Sequence, residues 1–402
     1  MRKSGLVLLA VLGPVVVTAT GISDIVVSQR WPFEEKVDVD YTLTGVASDV
    51  AFSATWAGRA EPFALGVALG AKPGRNRFTW DPSVSTFAGQ TLADFRVTAT
   101  PVSSAERTYL IVDLVNGGYV FASAVPDGGW PTADKGDRMV FRRIPAGTYT
   151  NGIDSAALTK MNNGCTPSFA GAVRERKVTF ASDCYVGVFQ MSGQQYSRLT
   201  GKGAGDNPYQ PKMISYRELR GSTADGVDWP ATKYAVATNS VVAKLRAKAG
   251  GDLVIDLCEE EQWEAAARAG THTYWTNGGT YDEDTETWWS YVNKIAVWYP
   301  DRSALANVGS KDPNPWGLYD TVGNMMEWTL DKTGDLTGTT IAASPQTDPV
   351  GSKTGDDRIY RGYAVKNSHL CYLVSAYRWS TSETAEATVR FCIHLNPLDF
   401  GK

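Results

Sequence analysis

Histidine is scarce in this sequence: only His272, His369 and His394 occur among 402 residues. None of them falls in an HxxxH or ExxH spacing, which argues against a helix-borne zinc site. A GxSxG nucleophile elbow, a phosphate-cradling glycine loop and a dinucleotide-binding fingerprint are missing as well. The sequence therefore lacks the common signatures of zinc enzymes, serine hydrolases and nucleotide-binding proteins.

Clusters of positive charge are also missing. The chain has 39 Lys and Arg against 43 Asp and Glu, a net charge of −4, and no basic run. Neutralising the phosphates of a nucleic acid requires clustered Lys and Arg, so the composition argues against a nucleic acid as a main partner. Beyond the first 20 residues, no apolar run is long enough to span a membrane.

The first 20 residues have the layout of a secretory signal peptide. Arg2 and Lys3 precede an apolar run over residues 5–17, and small residues surround Ala19. We predict that residues 1–20 are cleaved, which makes the mature chain a secreted or cell-surface protein with no membrane span. The alternative is a retained leader that is packed as a β-strand, given to a neighbouring subunit.

Residues 21–103 alternate short β-branched runs with turn residues. This pattern predicts an all-β sandwich of immunoglobulin or fibronectin type, acting as a spacer or contact module. The runs are Asp24–Ser28, Val37–Thr44, Val50–Trp56, Arg75–Trp80 and Phe95–Thr100. Residues 104–137 begin with another strand, Thr108–Leu114, and are otherwise rich in Gly and Pro, which indicates a linker with one hairpin.

Residues 138–402 mix a few helices with short strands and long irregular segments, which indicates a loop-rich α+β domain. Helices are predicted at Gly193–Thr200, at Asn239–Ala249 with Asn239 as cap, and at Glu259–Ala269. The last helix begins with three acidic residues, which we interpret as complements to the helix dipole rather than as a metal cluster.

The cysteines are few and odd in number. Export would permit disulfides, and five cysteines leave at least one thiol unpaired within the chain. Proximity in the sequence favours Cys165–Cys184 and Cys371–Cys392, although sequence cannot fix connectivity. There is no Asn-x-Ser/Thr glycosylation site.

The stretch Gly317–Trp328 reads as a turn with a glycine hinge at Gly323, bringing Asp320 towards Glu327. Two carboxylates and intervening carbonyls would form the oxygen cage that Ca²⁺ prefers, at roughly 2.3–2.6 Å per ligand. Ordinary surface carboxylates are the alternative.

Several motifs in the same order resemble the formylglycine-generating enzyme (sulfatase-modifying factor) family. Besides Gly317–Trp328, which is similar to GLYDMxGNVWEW, the matching segments are Arg143–Tyr149, Leu257–Gly270, Val297–Ser303, Arg361-Gly362 and Ser375–Arg378. The resemblance implies a loop-rich fold related to C-type lectins. It also implies structural calcium, bound by the side chains of Asp320 and Glu327 and the carbonyls of Gly323 and Met325.

The resemblance fails at the family's copper site. The family's oxidase holds Cu(I) with two cysteines after its RGGSW segment, because soft thiolates suit Cu(I). Here Asn367 stands at the first cysteine position, and near the second the only thiol is Cys371, with His369 as a weaker neighbour. One thiolate cannot make a linear two-sulfur site, so the sequence favours a protein without copper catalysis, and Cys371 is a weak catalytic candidate.

Three hypotheses follow. The first is a secreted structural or adhesive protein that self-associates, as in an extracellular filament. The second is a lectin-like protein that binds an extracellular glycan or protein, and the third is a divergent copper-dependent oxidase. A cluster of aromatic residues is dense enough to form a core, and we expect some of its members to be exposed for contacts. Its members are Trp275, Trp288, Trp289, Tyr291, Trp298, Tyr299 and Trp316.

Overall fold

The computed structural model describes residues 7–9, 21–30, 32–102, 104–153, 174–232, 234–250, 253–277, 285–298, 304–333, 346–352, 354–362 and 372–394. These residues form two compact units. The first comprises residues up to Met139 together with Leu245–Leu253, and the second comprises Val140–Lys244 and Val254–Leu395. The segment 104–137, predicted to be a linker, lies within the first unit.

The first unit consists mainly of antiparallel strands. The strands are β1 (Val7–Leu9), β2 (Ile22–Gln29), β3 (Val37–Leu43), β4 (Ser48–Trp56), β5 (Arg59–Ala71), β6 (Gly74–Trp80), β7 (Thr91–Ala93), β8 (Arg96–Val102), β9 (Tyr109–Asp113) and β10 (Tyr119–Ala122). Short 3₁₀ turns lie at Pro82–Val84, Ser104–Arg107 and Thr132–Lys135. Strands β2–β3–β6 form one sheet and β5–β4–β8 another.

One hydrophobic core draws side chains from both of these sheets. Alternation along β8 buries Val97 and Ala99 and leaves Arg96 and Thr98 exposed, as the period of a strand dictates. Phe52 of β4 stacks on Phe78 of β6, with ring centroids 4.3 Å apart. The unit is β-rich, and its immunoglobulin or fibronectin type stays a prediction.

The leader contributes one short strand. Residues Val7–Leu9 pair in parallel with Thr91–Ala93 of the same chain. The rest of the predicted signal peptide lies outside the described residues. Pairing within one chain differs from the alternative in which the leader is donated to a neighbouring subunit.

The remaining described elements are short strands and five short helices, most of them in the second unit. The strand that begins at Arg138 and the helix that ends at Ala249 each include residues of the first unit. The strands are β11 (Arg138–Ile144), β12 (Gly147–Asn151), β13 (Arg176–Phe180), β14 (Cys184–Gly187), β15 (Ile214–Ser215), β16 (Ile255–Leu257), β17 (Glu327–Lys332), β18 (Gln346–Thr347), β19 (Arg358–Arg361), β20 (Arg378–Thr381), β21 (Glu386–Val389) and β22 (Phe391–His394). The helices are α1 (Gly193–Thr200), α2 (Tyr216–Arg220), α3 (Val241–Ala249), α4 (Glu260–Arg268) and α5 (Thr285–Ile295). A 3₁₀ turn lies at Thr223–Asp225.

Two sheets of the second unit frame the candidate site. Strands β11–β14–β22–β16 are neighbours in one antiparallel arrangement. The other sheet has the order β15–β21–β17–β19–β20, in which β17 and β21 run parallel and β20 is an edge strand. A third sheet, β12–β13–β18, packs against α4 through Val178, Phe180 and Ala265. The fold is thus β-rich α+β.

Local sequence signals explain where the helices begin. Helix α1 coincides with the predicted segment, because the Ser192 hydroxyl accepts from Gln195 N while the Gln195 side chain accepts from Ser192 N. The predicted cap of α3 is wrong by one residue: the hydroxyl of Ser240, not Asn239, accepts from Ala243 N.

Candidate functional site

The 317–328 turn is shaped by left-handed backbone at four positions. Gly317, Asp320, Gly323 and Asn324 have φ angles of 79°, 54°, 86° and 61°. Gly323 pairs with Val297, and a Cβ at Gly323 would lie 2.5 Å from the Val297 carbonyl oxygen. Only glycine fits this position, which confirms the hinge that the sequence suggested.

The predicted metal ligands Asp320 and Glu327 are both buried, but they have different partners. Asp320 Oδ2 accepts a hydrogen bond of 2.7 Å from Gly309 N. Both oxygens of Glu327 accept hydrogen bonds from nitrogen donors. Oε2 lies 2.6 Å from Trp263 Nε1 and 3.0 Å from Arg390 Nε.

The other oxygen of Glu327 is equally occupied. Oε1 lies 2.8 Å from Arg390 Nη2 and 2.9 Å from Gln190 Nε2. The carboxylate thus receives four N–H donors, and its neighbour Arg390 binds it with both Nε and Nη2. Such a bidentate pair is the strongest arrangement that Arg and a carboxylate can form.

Of the two predicted carbonyl ligands, Gly323 and Met325, the Met325 oxygen meets a nitrogen donor. It accepts from Gln190 Nε2 at 2.8 Å, and the backbone oxygen of Asp320, which was not a predicted ligand, accepts from the same nitrogen at 3.3 Å. Gly323 forms a β-bridge with Val297, and the next residue, Asn324, donates its N–H to the Val297 carbonyl at 2.8 Å. As folded, these residues do not fit a calcium ion bound by Glu327, because each of its two carboxylate oxygens already accepts two N–H groups. Calcium binding stays a prediction from the sequence.

The acidic start of α4 belongs to a buried ion network that the sequence interpretation missed. Glu264 Oε1 accepts from Gly152 N at 2.6 Å and Arg268 Nε at 2.8 Å. Its Oε2 lies 2.9 Å from Arg361 Nη2 and 3.5 Å from Arg176 Nη2. Burial by itself would raise the pKa of Glu264, but Arg361, Arg268 and Arg176 lower it to about 2.

The other helix acids have arginine partners as well. Arg361 Nε lies 2.8 Å from Glu260 Oε1, and Arg378 also contacts Glu260. Glu261 binds Arg176 at 2.6 Å. The helix-dipole interpretation is therefore incomplete for Glu260 and Glu261, because both form direct ion pairs with arginines on strands β19 and β13. Only the abundance of Arg downstream could have signalled this.

Asp331 lies beside this network, and no described residue forms an ion pair with it. Glu260 N donates to its Oδ2, while the buried Oδ1 has no hydrogen-bond partner among the described residues. Burial, reinforced by the charge of Glu261, raises the pKa of Asp331 to about 7.

Three described cysteines are free and buried: Cys184, Cys258 and Cys392. The pairings Cys165–Cys184 and Cys371–Cys392 are therefore not formed, because Cys184 and Cys392 are both free thiols. These two residues lie on the neighbouring core strands β14 and β22. Burial raises the pKa of the Cys392 thiol, and hydrogen bonds to Cys184 and Cys258 add to the effect.

The remaining candidates divide between core and undescribed segments. Cys371, Asn367, His369 and Cys165 lie outside the described residues. His394 is a core residue, with Nε2 3.2 Å from the Leu257 carbonyl oxygen, and His272 is exposed. Within the described ranges, no three His, Cys, Asp or Glu side chains converge in a way that could hold a metal ion.

Most of the aromatic residues singled out in the sequence form a core. Trp275 and Trp298 are buried in one cluster, and Trp289 and Tyr291 are partly buried against it. Trp316 packs edge-on against Tyr149 in the same unit, with ring centroids 5.7 Å apart. Tyr299 and the side chain of Trp288 lie outside the described residues.

An exposed aromatic group lies on edge strand β20. Trp379 is 39% exposed and stacks on Tyr377, with ring centroids 6.3 Å apart and planes inclined by 25°. Tyr372 also packs against Tyr377, with ring centroids 4.6 Å apart and planes inclined by 54°. We call Tyr372, Tyr377 and Trp379 the aromatic row. The sequence interpretation missed it, because these residues are spread around the SAYR motif.

These features define an α+β scaffold organised around a buried, arginine-bound glutamate. The family model of the sulfatase-modifying factor enzyme 1-like domain matches residues 86–393, and the chain belongs to this family. Among the described residues, no helix is both long and apolar enough to cross a bilayer.

Two curated relatives carry the name formylglycine-generating enzyme. The one from Streptomyces coelicolor is 32% identical over 146 residues, covering 33% of this chain and 44% of the relative. The one from Thermomonospora curvata is 27% identical over 156 residues, covering 35% of this chain and 48% of the relative. The chain thus spans less than half the length of either.

A solved structure also resembles the chain. Treponema denticola variable protein 1 matches with a TM-score of 0.47 and 17% identity, covering 64% of this chain and 96% of that one.

Proposed function

We propose that this chain is a secreted, non-catalytic adhesive protein that binds an extracellular glycan on the sulfatase-modifying factor scaffold. The observation that carries the proposal is the aromatic row, with Trp379 exposed on edge strand β20. Within the row Trp379 is the exposed ring, whereas Tyr377 is buried and supports it by stacking. An exposed indole supplies a large apolar contact area, which suits the face of a sugar ring. Asn367, at the position of the family's first copper-binding cysteine, supports the non-catalytic part.

A glycan array followed by calorimetry tests the binding. We expect wild type to bind a defined set of glycans, and Trp379→Ala to weaken that binding about tenfold or more, as the loss of a stacking partner worth about 1.5 kcal/mol requires. Phe33→Ala is the matched control, because Phe33 is 92% exposed and lies in the first unit. Binding to no glycan, or equal loss in both variants, contradicts the proposal.

The curated relatives support a second candidate, the copper-dependent oxidation of a peptide cysteine to formylglycine. The reaction consumes dioxygen and two reducing equivalents from an added thiol, and it releases hydrogen sulfide and water. Mass spectrometry of a cysteine-containing peptide, incubated with copper-loaded protein, detects the aldehyde product. Turnover that disappears in Cys371→Ser would favour this candidate over the adhesive role.

Self-assembly is a further form of the adhesive role. Among the described strands β20 lies at the edge of its sheet, and an edge strand can pair through its backbone with a strand of another chain. Sedimentation velocity across a wide concentration range separates the two forms. Filaments would sediment as a broad, concentration-dependent series, whereas a glycan-binding monomer would give one boundary.

A further inference from the structure

The structure assigns to Arg390 and Gln190 the place that calcium was expected to fill: the 317–328 turn is held by a built-in cation of the chain itself. The family resemblance predicted that Glu327 and neighbouring carbonyls would bind Ca²⁺. In this chain the Glu327 carboxylate and the Met325 oxygen accept hydrogen bonds from side-chain nitrogens instead, while the Asp320 carboxylate accepts from the backbone N–H of Gly309.

Arg390 uses all of its N–H groups on this task. Nη1 donates to the carbonyl oxygens of Gly187 at 2.7 Å and Val188 at 3.0 Å. Nη2 donates to the Tyr319 oxygen at 2.6 Å and to Glu327 at 2.8 Å, and Nε donates to Glu327 at 3.0 Å. A guanidinium has five N–H donors, so none is left for other partners.

The guanidinium also balances the charge. Arg390 is 1% exposed and Glu327 is fully buried, so each needs a partner of opposite charge. Their pairing makes the Glu327 site neutral. A calcium ion bound to the same carboxylate would place two further positive charges beside a buried guanidinium, which is unfavourable in a low-dielectric interior.

Gln190 completes the replacement without adding charge. Its Nε2 lies 2.8 Å from the Met325 oxygen, 2.9 Å from Glu327 Oε1 and 3.3 Å from the Asp320 oxygen. Its Oε1 is buried and has no hydrogen-bond partner within the described ranges. A flip of the Gln190 amide would place its Oε1 against the oxygens of Met325, Glu327 and Asp320. Only a cation between these oxygens could make that arrangement stable. The amide is thus the feature whose orientation calcium binding would reverse.

Thermal unfolding of the whole chain in chelator and in millimolar calcium tests the inference. We expect the wild-type Tm to be the same in both. Arg390→Ala removes the internal cation and leaves Glu327 buried and unpaired, so its Tm should fall by about 10 °C. Calcium should restore part of that loss, because it can now reach the vacated oxygens.

Arg220→Ala is the matched control. Arg220 is as buried as Arg390 and binds the buried carboxylate of Asp256 at 2.9 Å. This pair joins α2 to β16 and does not involve the 317–328 turn. Its Tm should fall similarly and should not respond to calcium. Gln190→Glu keeps Arg390 and adds a carboxylate beside the three oxygens, so it should acquire a calcium-dependent rise in Tm even where Arg390→Ala fails to fold.

Two results would overturn the inference. One is a calcium-dependent rise in the wild-type Tm that Glu327→Gln abolishes. The other is an absence of calcium response, beyond that of Arg220→Ala, in both Arg390→Ala and Gln190→Glu. The glycan-binding experiment does not depend on either result, so the two proposals can fail separately.

Discussion

Trp263 Nε1 lies 2.6 Å from Glu327 Oε2, so a hydrogen bond joins helix α4 to the first residue of β17. Both residues are buried, and each belongs to a different motif of the family resemblance. The two motifs are thus joined in the fold by a hydrogen bond from an indole N–H to a buried carboxylate.

Replacing Trp263 with Phe should therefore destabilise the second unit beyond the loss of ring area. The ring stays apolar, but Glu327 Oε2 loses one of its two donors, which should cost about 2 kcal/mol for a hydrogen bond to a charged group. Urea unfolding measures the change. Trp275→Phe is the control, because Trp275 Nε1 donates to the neutral Leu373 carbonyl at 3.1 Å and its loss should cost about 1 kcal/mol. Equal losses would contradict the role of the charge.

Asn314 connects the end of α4 to the start of the 317–328 turn. Its Nδ2 donates to the carbonyls of Ala266 at 2.8 Å and Ala267 at 3.0 Å, and its Oδ1 accepts from Leu318 N. Asn314→Asp should cost about 3 kcal/mol, because a buried carboxylate would face two carbonyls at the negative end of a helix. Denaturant unfolding at neutral pH measures it, and exposed Asn207→Asp should change stability by no more than about 0.5 kcal/mol.

Gly323→Ala tests the hinge. The new Cβ would meet the Val297 oxygen at 2.5 Å in a left-handed conformation, so we expect a loss above about 2 kcal/mol or failure to fold. Gly226→Ala is the control: Gly226 has φ of 73° but nothing within 4 Å of the added Cβ. Its cost should be limited to about 1 kcal/mol. Calorimetric unfolding compares the two, and similar losses would rule out a specific steric role for Gly323.

Asp331 should make stability depend on pH. Burial raises its pKa from 3.8 to about 7, so the folded chain holds a proton that the unfolded chain releases. Stability from this group is complete below about pH 4 and is lost as pH rises to about 7, by roughly 4 kcal/mol in total.

Asp331→Asn removes the titration while keeping an oxygen that can accept from Glu260 N. The variant should gain stability relative to wild type as pH rises from about 4 to about 7, and the two should differ least at the acidic end. Urea unfolding at several pH values measures the difference. A difference that is independent of pH would show that Asp331 is already ionised across this range.

Local signals in the sequence predicted much of the secondary structure. The predicted strand Val37–Thr44 corresponds to β3, and the predicted helix Gly193–Thr200 to α1, because alternation and a capping box are written in adjacent residues. Strand β5 was missed because Pro62, Gly66 and Gly70 interrupt its pattern, although its pairing with β4 accommodates them through irregular register.

The site was harder to predict than the fold. The turn around Gly323 followed from spacing and from the family resemblance, but the partners of Glu327 did not. Arg390 lies 63 residues downstream of it and Gln190 lies 137 residues upstream, and only the folded sheets bring them together. Sequence spacing reports local geometry, so it could suggest an oxygen cage but not which nitrogen atoms enter it.

The ion pairs of Glu264 affect how the second unit should respond to reducing agents and to salt. The Glu264 carboxylate forms ion pairs with Arg176 of β13, Arg268 of α4 and Arg361 of β19. It thereby connects three elements that are far apart in the chain. Cysteine-rich secreted domains fasten remote segments with covalent bridges that a reducing medium opens. A buried ion-pair network contains no bond that a reductant can break. Because the pairs are buried, salt screens them little. The contacts of Glu264 should therefore persist in reducing and in saline media.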